Sequence, residues 1–155
     1  MSGMLESLQT CPVEIMMNTE QNEGRSKIMN ASLAMKSYQH VHAAGSVADA
    51  NPHRLVQMLM QEILNCLKKA EGFMEYKNIP ARTHNINRAV EMISYLRSCL
   101  NLKEGGEIAA NLERLYAYMM RRLFEANSYQ DVVALQEVYS LMSTVKDGWD
   151  GIANA

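Results

Sequence analysis

From residue 51 onward, apolar residues recur every three or four positions, which is the spacing of amphipathic helices. The first helix is predicted to begin at Asn51 and Pro52, because asparagine is a favoured N-cap and proline fits the first helical position. At 100° per residue its apolar arc spans about 180°, wider than the ~100° that a surface helix needs. The arc consists of Leu55, Val56, Leu59, Met60, Ile63, Leu64, Cys66, Leu67 and Ala70.

Two further helices follow at the same spacing. Residues 77–82 are predicted to break the first helix, and Thr83 is predicted to cap the second. A turn at Gly105 and Gly106 precedes the third helix, which is predicted to close at Asn127 because asparagine tolerates the left-handed conformation. Their stripes are Ile86, Ala89, Val90, Ile93, Leu96 and Leu100, then Ile108, Ala109, Leu112, Leu115, Tyr116, Met119, Met120, Leu123 and Phe124.

The fourth helix is predicted to start at Ser128, where Asp131 completes an S-x-x-D capping pattern. Its stripe alternates steps of three and four, as in a coiled coil, and no stretch of the chain alternates like a strand. Short connections make consecutive helices antiparallel, so the sequence predicts an all-α, antiparallel, up-and-down bundle of four main helices. The fourth stripe is Leu135, Val138, Met142, Val145, Trp149 and Ile152.

Residues 1–34 differ from the rest, because they show no sustained helical or strand period. Residues 18–27 are entirely polar apart from Gly24. This pattern predicts a flexible N-terminal arm over 1–34, compatible with a short cap helix near 28–35, and a helical-bundle domain over 35–155.

Composition narrows the function. Hydrophobic residues make up 48% of the 155 residues and charged residues 21%, and 13 methionines favour helix. The net charge of −2 argues against nucleic-acid binding. No apolar run approaches the ~20 residues of a membrane span, and Glu6 and Glu14 interrupt any secretory signal. We therefore expect a cytoplasmic protein without direct membrane insertion.

Motifs for catalysis or metal binding are not found. A carboxylate-bridged metal site in a bundle needs Glu-x-x-His, and none of the four histidines has Glu three residues before it. Cys66 and Cys99 lie on or beside apolar helix faces, where lone cysteines usually pack as small hydrophobes. We expect no catalytic residue, no metal site and no cofactor. An enzyme using His40, His42 or a cysteine remains the third hypothesis.

The wide apolar arcs of the first and third helices suggest a binding surface. One interpretation is that both arcs are fully buried in the bundle. The other is that one edge of each arc lines a groove for a partner helix, since methionine-rich apolar surfaces accept helices. The groove residues predicted on the two helices are Val56, Met60, Leu64, Leu67, Met120 and Phe124.

Several segments also resemble a known family in the same order and spacing. Tyr38-Gln39 and DANPHRLVQML (49–59) resemble the opening of the flagellar secretion chaperone family, FliS. GGEIAANLERLYAYM (105–119) and RLFEAN (122–127) resemble its central motif, and Trp149 with Ile152 fits its end. The resemblance extends from about Tyr38 to Ile152.

The resemblance implies a helical bundle that binds newly made flagellin in the bacterial cytoplasm. Such a chaperone holds the C-terminal segment of flagellin, prevents its premature polymerisation and delivers it to the flagellar type III export gate. It leaves other flagellar regulators open as further partners. The alternative from a different class is a structural or regulatory module that homo-oligomerises through the same apolar surface.

The resemblance to the family implies roles for only a few individual residues. Tyr38 is the candidate for a cap that folds over the apolar surface, and the alternative is that it anchors the arm permanently. Met60 stands where the family commonly has an aromatic residue, and Glu62 where it commonly has glycine. We expect Tyr116 in the core. Asn111 and Asn127 belong to the family motif, and we expect them in hydrogen bonds at a helix end or between helices.

Overall fold

The computed structural model describes residues 52–153, which form four α-helices. They are α1 (Pro52–Glu75), α2 (Ile79–Ser98), α3 (Gly106–Tyr129) and α4 (Val132–Ala153). Helices α1 and α3 each pack against both α2 and α4, which closes the bundle into a ring. Within 52–153 there is no strand, so the predicted all-α bundle is confirmed. The predicted arm (1–34), the domain start at residue 35, Tyr38, His40 and His42 lie outside the described residues.

Polar contacts at both ends of α1 and α4 show that these helices are antiparallel. His53 near the start of α1 contacts Trp149 near the end of α4, with 2.9 Å between His53 Nε2 and the Trp149 carbonyl oxygen. At the opposite end, Gln136 Nε2 of α4 donates to Glu71 Oε1 of α1 at 2.6 Å. The termini of the bundle therefore lie side by side.

The core runs the length of the ring and draws on all four helices. In the fourth helix every residue of the predicted stripe is buried, from Leu135 to Ile152. Tyr116 is fully buried in α3, as expected. Burial at helical spacing on four facing stripes is what drives these segments to associate. The largest fully buried side chains are Trp149, Tyr116, Met60, Ile63, Leu67, Ile86, Ile93, Leu96, Met119, Leu123 and Leu135.

The second helix begins earlier than the sequence pattern predicted. Asn78 caps α2, because its Oδ1 accepts from the Ala81 backbone N–H at 3.2 Å. Pro80 lies in the first helical turn, where its missing N–H removes no helical hydrogen bond. The predicted break between the first two helices is confirmed, but it covers residues 76–78 and not 77–82. The predicted cap at Thr83 was wrong, because Thr83 lies inside α2.

The third helix ends later than predicted, which also shifts the start of the fourth. Gln130 takes the left-handed conformation, with φ of 55°, so α3 continues past Asn127. Asp131 caps α4, because its Oδ1 accepts a hydrogen bond from the Ala134 backbone N–H at 3.1 Å. The prediction that Ser128 starts the fourth helix was wrong, because Ser128 lies in the last turn of α3.

None of the four described helices is long and apolar enough to cross a membrane.

Candidate functional site

The wide apolar arc of α1 is buried because the helix has a neighbour on each flank. On one flank Glu62 pairs with Arg88 of α2, with 3.2 Å between Oε1 and Nη2. On the other, Gln57 Nε2 donates to Asp150 Oδ1 of α4 at 2.8 Å. Glycine at position 62, as expected for the family, could not form this ion pair.

The groove residues predicted on α1 lie inside the bundle. Met60 and Leu64 share the flank of α1 that faces α4, and they are 0% and 6% exposed. Val56 and Leu67 are buried on the same face. In this arrangement all four belong to the core of a single chain. As partner-binding residues they stay a prediction, as does Tyr38, which lies outside the described residues.

The arc of α3 does reach the surface. Phe124 is 69% exposed, whereas Met120, one turn earlier, is half-buried and packs against the core. Both lie on the flank of α3 that faces α2, since Glu113 and Asn127 on this flank contact α2. Phenylalanine so exposed beside a half-buried methionine is the kind of apolar surface that marks an interaction site.

Small and apolar side chains continue this surface on both helices. On α3, half-buried Ala117 precedes Met120 by three residues. On α2, half-buried Val90 packs against the core on the flank that faces α3. We call the strip formed by Val90, Ala117, Met120 and Phe124 the α2–α3 surface.

Polar contacts hold α2 and α3 together at both ends of this surface. Arg97 pairs with Glu113 at one end. At the other, Asn127 Oδ1 accepts from Arg82 Nε and Thr83 Oγ1, each at 3.1 Å. The expected interhelix hydrogen bonds of Asn127 are thus confirmed. These contacts fix the spacing of the two helices. For Asn111 the expectation was wrong within the described residues, because its side chain is exposed on α3 and bonds to no other described helix.

The opposite flank of α3 is polar and faces α4. Glu137 of α4 accepts from Tyr118 Oη at 2.5 Å and from Arg122 Nε at 2.7 Å. These two hydrogen bonds, with the one from Tyr118 the stronger, lower the pKa of the Glu137 carboxyl below its ordinary value. Arg122 also pairs with Glu125 on its own helix. The polar side chains on this flank therefore pair with one another, whereas the α2–α3 surface carries apolar side chains.

Two buried side-chain atoms have no hydrogen-bond partner within residues 52–153, Arg88 Nε and Tyr116 Oη. The hydroxyl of fully buried Tyr116 has no hydrogen-bond partner, and burial raises its pKa above the ordinary value. An unpaired buried hydroxyl destabilises the fold that contains it.

A second apolar cluster was missed by the sequence reasoning. Its members lie at the end of the bundle where α1 meets α2 and α3 meets α4. Each stands at a helix end or in a connection, where the helical stripes that guided the prediction stop. The cluster consists of Tyr76, Ile79, Tyr129, Val132 and Val133, all exposed.

Comparison with known proteins now decides the family. The sequence model of the family described as "Flagellar protein FliS" matches residues 34–155. The chain belongs to the FliS family. It is 49% identical to the flagellar secretion chaperone FliSB of Pseudomonas aeruginosa over 126 residues, which cover 81% of this chain and 100% of that one.

Relatives from other bacteria extend the FliS match. The flagellar secretion chaperone FliS of Salmonella typhimurium is 35% identical over 81% of this chain and 93% of its own. That of Vibrio cholerae is 34% identical over 77% of this chain and 88% of its own. Membership of this chaperone family supports a role in flagellar export and implies a non-enzymatic function.

The thiol of Cys66 was one candidate for catalysis in this FliS chain. Cys66 is buried, and burial raises the pKa of its thiol to about 11, so it stays protonated near neutral pH. A thiol in that state is a poor nucleophile. Among residues 52–153, no three His, Cys, Asp or Glu side chains group as metal ligands would.

Proposed function

We propose that this chain is a cytoplasmic export chaperone for flagellin. It binds the C-terminal segment of flagellin, prevents premature polymerisation and delivers the segment to the flagellar type III export apparatus. The observation that carries this proposal is the exposure of Phe124 beside Met120 in a member of a flagellar secretion chaperone family. An amphipathic segment can lay its apolar face on such a surface.

The seven predicted binding residues enter the proposal in different ways. Phe124 and Met120 contact flagellin directly, because they are reachable without any movement of the helices. Val56, Met60, Leu64 and Leu67 contact it only if α1 and α4 separate. Tyr38 covers the apolar surface when flagellin is absent.

A substitution at the exposed position tests the proposal. Phe124→Glu is expected to weaken binding of the C-terminal flagellin segment at least tenfold, because a charge replaces an apolar contact. The melting temperature is expected to change little, since the side chain is 69% exposed. Isothermal titration calorimetry gives the affinity, and far-ultraviolet circular dichroism gives the helicity.

Two further variants serve as controls. Leu102→Glu makes the same kind of change at a 57% exposed apolar residue in the α2–α3 connection, and it should leave binding unchanged. Met60→Glu should unfold the chain, because it places a charge in a fully buried position. If Phe124→Glu binds the segment with wild-type affinity, Phe124 is not part of the binding surface. If the folded wild-type chain does not bind the segment, the proposed function is refuted.

The remaining partners follow from the same function. Delivery requires contact with the flagellar export gate, and other flagellar regulators can use the same surface when flagellin is absent. Pull-downs with the cytoplasmic part of the export gate, with and without bound flagellin, test the first point. Fractionation of cells tests the cytoplasmic location.

The exposed cluster around Tyr129 favours a second candidate, a module that homo-oligomerises. Five apolar side chains at one end of the bundle are a surface that two copies can share. Its signature is a concentration-dependent dimer that Tyr129→Glu with Val133→Glu abolishes. Sedimentation equilibrium separates the two: a monomer that binds flagellin supports the chaperone alone.

A further inference from the structure

The last two turns of α4 have little helical stability of their own. Gly148 and Gly151 lie inside the helix, and both are exposed with no positive φ. Glycine inside a helix loses more conformational freedom on folding than alanine does, so it weakens the helix. An added Cβ at either position would lie more than 4 Å from every other described helix. Packing within the described residues therefore does not require glycine at these two positions.

The charges in the same segment also disfavour a helix end. The carboxylate of Asp150 lies in the last turn of α4, and that turn contains no basic residue. Because the C-terminal end of a helix carries partial negative charge, a carboxylate there destabilises the helix. Lys146 Nζ donates to Asp150 Oδ2 at 2.5 Å, and Gln57 Nε2 of α1 donates to Oδ1 at 2.8 Å. One of these two compensating contacts comes from α1.

The segment is held in place by packing and hydrogen bonds. Trp149 and Ile152 are buried, at 2% and 7% exposure. Trp149 Nε1 donates to the carbonyl of His53 on α1 at 3.0 Å. A helix of low intrinsic stability persists only where tertiary contacts support it. We therefore expect the segment to unwind when its contacts with α1 are lost.

The start of α4 has the opposite character. Residues 132–146 contain no glycine, and Asp131 caps the helix through the Ala134 backbone N–H. Gln136 of this part donates to Glu71 of α1 at 2.6 Å. The weakness of α4 is thus confined to one end of the helix.

We propose that residues 147–153, which we call the α4 latch, open as a unit while the rest of the bundle stays folded. Opening uncovers Val56, which lies three residues after His53 and four before Met60 on the flank of α1 that faces α4. The latch thus controls access to the buried apolar edge of α1. That this access serves flagellin rests on the proposed function, whereas the opening itself does not.

The test uses Trp149, which is the only tryptophan of the chain, so that its fluorescence reports on the latch. In the wild type we expect its emission to shift to longer wavelength at urea concentrations that leave the far-ultraviolet circular dichroism unchanged. Such a difference between two probes shows that one part of a protein unfolds before the rest. Gly148→Ala with Gly151→Ala should lower the open population about tenfold and bring the two urea curves together.

Gly72→Ala is the matched control, because Gly72 lies inside α1 and an added Cβ there also has open space. It should move the circular dichroism curve to higher urea, since it stabilises the bundle as a whole. The early shift of Trp149 fluorescence should stay at the same urea concentration, because opening of the latch does not involve this part of α1.

Two outcomes would overturn the opening of the latch. One is that fluorescence and circular dichroism change together in the wild type. The other is that Gly72→Ala moves the fluorescence shift as far as the double alanine variant does, which would make the change global.

The control of access has its own measurement. The double alanine variant should raise the Kd for a synthetic C-terminal segment of the cognate flagellin about three- to tenfold, because fewer molecules have an open latch. An unchanged Kd in calorimetric titration would overturn the control of access and leave the flagellin proposal standing. If the folded wild-type chain does not bind the segment, the proposed function fails, and the fluorescence result alone decides whether the latch opens.

Discussion

Arg82 holds Asn127 through two hydrogen bonds, one from Nε to the side-chain Oδ1 at 3.1 Å and one from Nη2 to the main-chain carbonyl at 3.0 Å. Arg82 is only 5% exposed. The carbonyl of Asn127 is one of the last four of α3, which have no partner inside the helix. A buried cation at the negative end of the helix dipole is well placed, and it ties the start of α2 to the end of α3.

Breaking this contact from its two sides should have unequal effects. Asn127→Ala removes the side-chain acceptor of both Arg82 and Thr83, and it should lower the free energy of unfolding by about 1.5–3 kcal/mol. Arg82→Met should destabilise less, because no buried charge loses a partner. Urea denaturation followed by circular dichroism measures both. Asn111→Ala, at an exposed position on the same helix, is the control and should stay within about 0.5 kcal/mol.

The unpaired hydroxyl of Tyr116 predicts that removing it does not destabilise the fold. Tyr116→Phe removes a buried donor that has no acceptor, so the free energy of unfolding should stay level or rise by about 1 kcal/mol. The same change two residues later, Tyr118→Phe, removes a hydrogen bond to Glu137 and should lower stability. A loss in Tyr116→Phe as large as that in Tyr118→Phe would mean that the hydroxyl has a partner.

The lowered pKa of the Glu137 carboxyl predicts that this residue makes the stability of the fold depend on pH in the acid range. The unfolded chain binds a proton at this carboxyl near the ordinary value of 4.5, and the folded chain only at lower pH. The stability that Glu137 contributes is therefore present above pH 4.5 and is lost as the pH falls below it.

Glu137→Gln should accordingly flatten the fall in melting temperature between about pH 5 and pH 3. Thermal denaturation across this range measures the slope. Glu75→Gln, at an exposed carboxyl outside any described ion pair, is the control and should keep the wild-type profile. An unchanged profile in Glu137→Gln would show that the contacts of Glu137 with Tyr118 and Arg122 do not couple to folding.

Trp149 and His53 contact each other in three ways. Their rings stack with centroids 4.4 Å apart, Trp149 Nε1 donates to the His53 carbonyl at 3.0 Å, and His53 Nε2 lies 2.9 Å from the Trp149 carbonyl. Trp149→Phe removes one donor and part of a buried ring, and it should lower the free energy of unfolding by about 1–3 kcal/mol. Chemical denaturation measures this, and a variant as stable as the wild type would contradict the assigned contact.

The bundle itself was predictable because burial follows helical periodicity. All six residues of the fourth stripe are buried, and this needed no knowledge of the neighbours. Helix ends were harder, since they depend on single capping contacts. Asn127 looked like the end of α3 because asparagine suits that position, yet here it is the acceptor for Arg82 and Gln130 takes the left-handed conformation.

Which of the predicted surface residues are exposed was only partly predictable, for a reason visible in two of them. Met60 and Phe124 each lie at the edge of a wide apolar arc, and the sequence treats them alike. The structure buries Met60 beneath α4 and exposes Phe124. The width of an apolar arc indicates how much apolar surface a helix carries. Which edge of the arc is buried depends on where the neighbouring helices lie.

The contact between α1 and α4 differs from the other three in what it demands of folding. Every other helix pair is consecutive, whereas His53 and Trp149 are separated by 96 positions along the chain. Closing so long a loop carries the largest loss of chain entropy, so we expect the contact between α1 and α4 to form last. We also expect the backbone amides of α1 and α4 that lie at this contact to exchange with solvent soonest. Met60 and Leu64 lie beneath α4, so we expect the last helix contact to form to be the one that hides them from solvent.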